Sequence, residues 1–116
     1  MKEINKIQQL NLDLISLVDR NDFHGECVVK DLIECKELWS GVIMDQPDLI
    51  HLRDLHEDDW NVDRMYILTS GVNDLKLMHI IEKWEADTIE ILPDWEYDSL
   101  LGTSDIKNKV IKLWWD

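Results

Sequence analysis

Apolar positions along this chain recur with two different periods. From Arg64 to Leu92 (RMYILTSGVNDLKLMHIIEKWEADTIEIL) an apolar segment, a turn, an amphipathic stretch and a second apolar segment follow one another. Met65-Tyr66-Ile67-Leu68 is apolar at successive positions, as in a strand covered on both faces. Thr69-Ser70-Gly71 carries turn chemistry, and Ser70 or Asn73 is placed to cap a helix. Leu77, Ile80, Ile81 and Trp84 then fall at i, i+3, i+4 and i+7 on one stripe, with Lys76, His79 and Lys83 opposite. Ile89 and Ile91 alternate with Thr88 and Glu90 as a strand with one face inward, and Pro93 ends it. The pattern predicts a βαβ-like unit at 64–92, its connection right-handed if the two strands run parallel in one sheet.

Residues 3–20 are predicted as a helix. Ile4, Ile7, Leu10, Leu14, Ile15, Leu17 and Val18 cover one broad side, while Lys6, Gln9, Asp13 and Ser16 face water. That side is expected to pack into the core, with a dimer interface as the alternative. Asn21 to Gly25 makes a turn. A second helix is predicted from Glu26 to Trp39, burying Val28, Leu32, Cys35 and Trp39 and terminated by Ser40-Gly41. Val42–Met44 and Leu49–Leu55 are predicted as a hairpin around Asp45-Gln46-Pro47-Asp48, with Ile50 and Leu52 inward; a short helix begun at Pro47 is the competing assignment for the second segment. His56 to Asp63 is an acidic loop carrying Trp60. Asp94 to Leu101 reads as one or two helical turns ended by Gly102. In the last strand, Lys109 to Trp115, the side chains of Ile111, Leu113 and Trp115 point inward and Val110, Lys112 and Trp114 share the other face. The whole predicts an α+β (or α/β) fold: a mixed sheet of about four to five strands with two N-terminal helices and the unit at 64–92. Residues 1–116 form a single domain, long enough to build a core without disulfides or metal.

Charge narrows the function classes. Asp and Glu number 25 against 12 Lys and Arg, for a formal net charge of −13. A field of that sign repels nucleic-acid phosphates and anionic membranes and attracts basic surfaces. No apolar run approaches the roughly 18 residues of a membrane span, and MKEINKIQQLNLDL lacks the apolar block of a signal peptide. A cytoplasmic protein with reduced Cys27 and Cys35 is therefore expected.

No constellation of residues specifies a reaction. The glycines stand singly at 25, 41, 71 and 102, so there is no phosphate loop and no G-x-S-x-G nucleophile setting. His24-Gly-Glu-Cys27 supplies one ligand-like pair where structural zinc needs four ligands. His51 and His56 are five apart, off the i, i+4 spacing that aims two ligands from a helix. A hydrolase set drawn from Asp54, His56, Asp63 and Arg64 needs spatial convergence. No cofactor and no metal are expected.

Tryptophan is the compositional outlier, with six residues in 116 where general usage gives roughly one or two. Trp39, Trp84 and Trp115 fall on buried patterns. Trp60 and Trp95 sit instead in acidic segments, EDDWNVD and PDWEYD, the second accompanied by Tyr97. Aromatic anchors ringed by charge have the composition of interaction hot spots. The expected function is thus a non-catalytic acidic binding protein engaging a basic protein partner, as a monomer or homodimer. In size and charge it is comparable with nuclease inhibitors, immunity proteins and nucleic-acid mimics. Asp58, Asp59, Trp60, Asp94, Trp95 and Glu96 are the expected contact residues. The alternative is a small metal-dependent enzyme or ligand-binding protein built on the acidic region around His51 and His56.

Overall fold

The computed structural model describes residues 3–20, 22–45, 52–60, 62–92 and 109–115. Helix α1 (Lys6–Ser16) leads into a two-stranded hairpin, β1 (Asp19–Arg20) and β2 (Phe23–His24), and then into α2 (Gly25–Glu34). A 3-10 turn, Lys36–Leu38, precedes β3 (Trp39–Asp45). After α3 (Leu52–His56) come β4 (Arg64–Thr69), α4 (Asp74–Glu82), β5 (Thr88–Ile91) and β6 (Val110–Trp114). The four longer strands form one sheet in the order β3-β4-β6-β5, every neighbouring pair antiparallel.

The architecture is α+β with two layers. Inward-facing side chains of the sheet (Val42, Met44, Met65, Ile67, Ile111, Leu113 and Trp115) share one core with Leu12 and Ile15 of α1, Val28 and Leu32 of α2, and Leu77 and Ile81 of α4. All three helices therefore cover the same face. Period-2 alternation explains the split: in β4 and β6 the odd-numbered residues 65, 67, 111 and 113 are buried, whereas Arg64, Tyr66, Lys112 and Trp114 are half-buried on the opposite face. Facing pairs there are matched by charge, Asp45 with Arg64 at 3.3 Å and Glu90 with Lys112 at 3.5 Å, each directly opposed in register.

The strand–helix–strand unit is present, in split form. β4 and β5 each run antiparallel to β6, which lies between them, so they are parallel to one another without touching. Asn73 is the cap of α4, its Oδ1 accepting from the Lys76 amide at 3.1 Å. Three expectations need correction. The predicted hairpin of 42–44 with 49–55 is not formed: β3 pairs with β4, and Leu52–His56 is helical. The second helix stops at Glu34, and Trp39 opens β3 rather than closing a helix. Ser40-Gly41, expected to terminate that helix, instead occupies an irregularity of register between Trp39 and Gly41, which lets Trp39 and Val42 both face the core.

Helix α1 is shorter than the expected 3–20, since Asp19–Arg20 pairs as β1 in the hairpin, and it is turned differently from its sequence pattern. Leu12 and Ile15 face the core, while Ile7, Leu10, Leu14 and Leu17 are 76%, 56%, 38% and 72% exposed. Two contacts fix that rotation. The Gln8 carboxamide clamps the free edge of β3, its Nε2 donating to Val42 O at 2.8 Å and its Oε1 accepting from Val42 N at 3.0 Å. This occupies backbone groups that an edge strand otherwise offers to other chains. At the other end Gly25 donates to Val18 O at 2.8 Å. A Cβ on Gly25 would lie 2.0 Å from Ile15 O and 2.6 Å from Val18 O, so only glycine permits this approach of α2 to the end of α1.

Candidate functional site

The described tryptophans separate by burial. Trp39 donates to Leu32 O at 2.8 Å, Trp84 to Asp31 Oδ2 at 2.9 Å, and Trp115 to Trp84 O at 2.9 Å. All three are buried, with Phe23 packed edge-on against Trp115 at 4.5 Å. These rings are structural, as their apolar settings predict. Trp114 lies on the outer face and donates to Asp63 Oδ2 at 3.3 Å. Trp60 is half-buried and packs against the main core. Asp94, Trp95 and Glu96 lie outside the described residues, as do His51 and Tyr97.

The acidic loop that Trp60 anchors has a defined shape. Asp58 adopts a left-handed conformation (φ 60°), and its N–H donates to Leu55 O at 3.2 Å, closing the end of α3. Asp59 N donates to Asp54 O at 2.7 Å. Glu57 and Asp58 are exposed, Asp59 is half-buried, and Asp54 is buried. Beside these carboxylates α3 presents Leu52 at 79% and Leu55 at 52% exposure. Two projecting leucines three residues apart, bordered by acids, make an apolar centre with a charged rim. The helical conformation of Leu52–His56 turns outward the Leu52 that a strand over 49–55 would place inward. The signal available in the sequence was the competing helix, in which Leu52 and Leu55 share a face.

The remaining site candidates disperse. Of the hydrolase set, Asp54 is buried and His56 exposed, Asp63 accepts from Trp114, and Arg64 faces Asp45 and lies over Tyr66 at 5.8 Å. The Asp45–Arg64 contact is a charge contact and not an aligned hydrogen bond, since Asp45 Oδ1 and Arg64 Nε are buried without hydrogen-bond partners. Burial lifts the Asp45 carboxyl above its ordinary range, against the downward pull of Arg64. His24 Nδ1 lies 3.1 Å from Asp19 Oδ1, both well exposed. Cys27 is exposed and free; Cys35 is buried and free, its thiol pushed up to about 11 by burial and by Glu37 and Asp31. Such a thiol stays protonated at neutral pH and is a poor nucleophile. Among the described residues no three His, Cys, Asp or Glu side chains converge as a metal site.

A cavity of about 440 Å³ lies between α1 and the outer sheet face, lined by Gln8, Asn11, Ile43, Tyr66, Leu68 and Val110 among others. Its amides are already engaged, Gln8 with Val42 and Asn11 Nδ2 with Ile7 O at 3.0 Å. No helix among the described residues is long and apolar enough to cross a membrane. Comparison of the chain with family models, with curated proteins and with solved structures finds no match, so its own residues carry the functional argument.

Proposed function

We propose that this chain is a non-catalytic acidic binding protein, of the inhibitor or immunity type, that engages a basic protein in a cytoplasmic setting. The observation that carries it is the α3 corner: Leu52 and Leu55 exposed beside Glu57, Asp58 and Asp59 on a hydrogen-bonded turn. A net charge of −13 accelerates encounter with a cationic surface, and two desolvated leucines slow dissociation once contact is made. Trp60 acts as the buttress of the loop. Asp94, Trp95 and Glu96 are proposed as further contacts on the strength of their sequence alone. The free thiols of Cys27 and Cys35 suit a reducing compartment.

The test is affinity capture from lysate of the source organism at low salt, using the native chain and a Leu52→Asp/Leu55→Asp variant of unchanged circular dichroism. Retention of one basic protein by the native chain, its release by high salt, and its loss from the variant are expected. Equal retention by both chains, or no basic protein retained, overturns the proposal.

A further inference from the structure

The outward stripe of α1 has a chemistry unlike the rest of the surface. Ile7, Leu10, Leu14 and Leu17 are spaced three, four and three residues apart, the a/d interval of helices that pair along a seam. All four are exposed although the same helix already buries Leu12 and Ile15 beneath it. The stripe is also electrically neutral. Between Ile4 and Val18 the charged residues are Lys6 and Asp13, one of each sign, in a chain whose formal charge is −13.

That neutrality selects the occupant. A basic partner steered by the field of the chain finds no carboxylate cluster along this seam. An anionic membrane repels the chain, and the stripe lacks the flanking lysines and arginines of an interfacial helix. A second copy of the same chain needs neither. Two copies related by a two-fold axis present identical apolar seams to each other, and the helix at the contact carries no net charge to oppose them. At the β3 edge beside it, Gln8 already engages the N–H and C=O of Val42.

We infer that the Ile7-Leu10-Leu14-Leu17 seam of α1 is a self-association surface through which two copies of this chain pair. The seam is a single helix face. Stable interfaces bury about 800 Å² per partner, so a seam this short gives a weak dimer that forms with rising concentration. Because the remaining surface is strongly acidic, pairing tightens as salt screens repulsion between the copies. A complex with a basic protein responds to salt in the opposite sense.

Sedimentation equilibrium of the full chain across roughly 1–500 µM, at low and at high salt, tests this together with Leu10→Gln/Leu14→Gln and Ile7→Gln/Leu17→Gln variants. Uncharged replacements keep the electrostatics constant, and exposed positions leave the fold intact, as circular dichroism verifies. A mass rising from 13.8 kDa to twice that value is expected for the native chain, at lower concentration in high salt, with association at least tenfold weaker in each variant. A native mass that stays at 13.8 kDa throughout, or self-association that both variants retain, overturns the inference.

Discussion

Helix α1 and the α3 corner both expose aliphatic side chains, yet they differ in what surrounds them. Beside Leu52 and Leu55 the chain places Glu57, Asp58 and Asp59; along α1, among Ile7, Leu10, Leu14 and Leu17, it places amides and a balanced Lys6 and Asp13, with Asp19 and Glu26 only at the Leu17 end. Apolar area alone does not name a partner. The charge at its rim does, because it decides which surfaces are attracted or repelled before contact is made. As proposed above, the two places would have different addressees, a cationic protein for one and a second copy of the chain for the other.

The comparison breaks first where α1 is anchored. Gly25→Ala drives a methyl group into Ile15 O and Val18 O, backbone atoms that cannot rotate away. It should lower unfolding stability by about 3 kcal/mol or more in urea titration. If Gly25→Ala leaves the midpoint unchanged, α1 and α2 do not meet there. Gln8→Ala removes both bonds to Val42 and leaves its amide at an unprotected edge, at a cost of about 1–3 kcal/mol. The same variant should aggregate more readily, which light scattering reads.

The α3 corner is sharpened by two contrasting truncations. Trp60→Ala removes a half-buried ring packed on the core, so it should cost about 1–3 kcal/mol of stability whatever it does to binding. Leu52→Ala and Leu55→Ala should each change stability by less than about 0.5 kcal/mol while weakening capture of the basic partner. The smallest effect belongs to Asp45. Its folded carboxyl is raised, so the folded state holds its proton more tightly than the unfolded one and stability falls as pH rises through the window above 3.8. Asp45→Asn should therefore raise stability only slightly at pH 7, read as a small rise in thermal midpoint because the side chain is half exposed, and the gain should vanish below pH 3.8. A loss of stability at pH 7 would show that pairing with Arg64 outweighs desolvation.

Periodicity made much of the fold legible, including β4, α4 and β6, the existence of β5 although Ile91, expected inward, is exposed at the sheet edge, and the inward residues Val28, Leu32, Cys35 and Trp39 although the last belongs to a strand. The position of β6 between β4 and β5 was not legible, because a period identifies strands and says nothing of which are neighbours. The segment ending in Leu55 was misassigned because five residues of α3 are too few to separate a helical period from alternation. Helix α1 shows a deeper limit. Its densest apolar stripe pointed outward and Leu12 was passed over, since a pattern records which side is apolar and not what covers it. At the proposed contact surface, the acidic character of the loop is legible from composition, while the leucines beside it depend on an element that composition does not settle.

The self-association seam stands on the rotation of α1 and on the core that leaves its outer face free, so a pair of urea denaturation curves tests it most directly. With Leu12 inside and Leu10 outside, Leu12→Ala should cost about 2–5 kcal/mol, whereas Leu10→Ala, measured at a concentration where the chain is monomeric, should stay within about 0.5 kcal/mol of the native chain. The opposite ranking, with Leu10 costly and Leu12 silent, would put the long apolar stripe back in the interior and contradict the account.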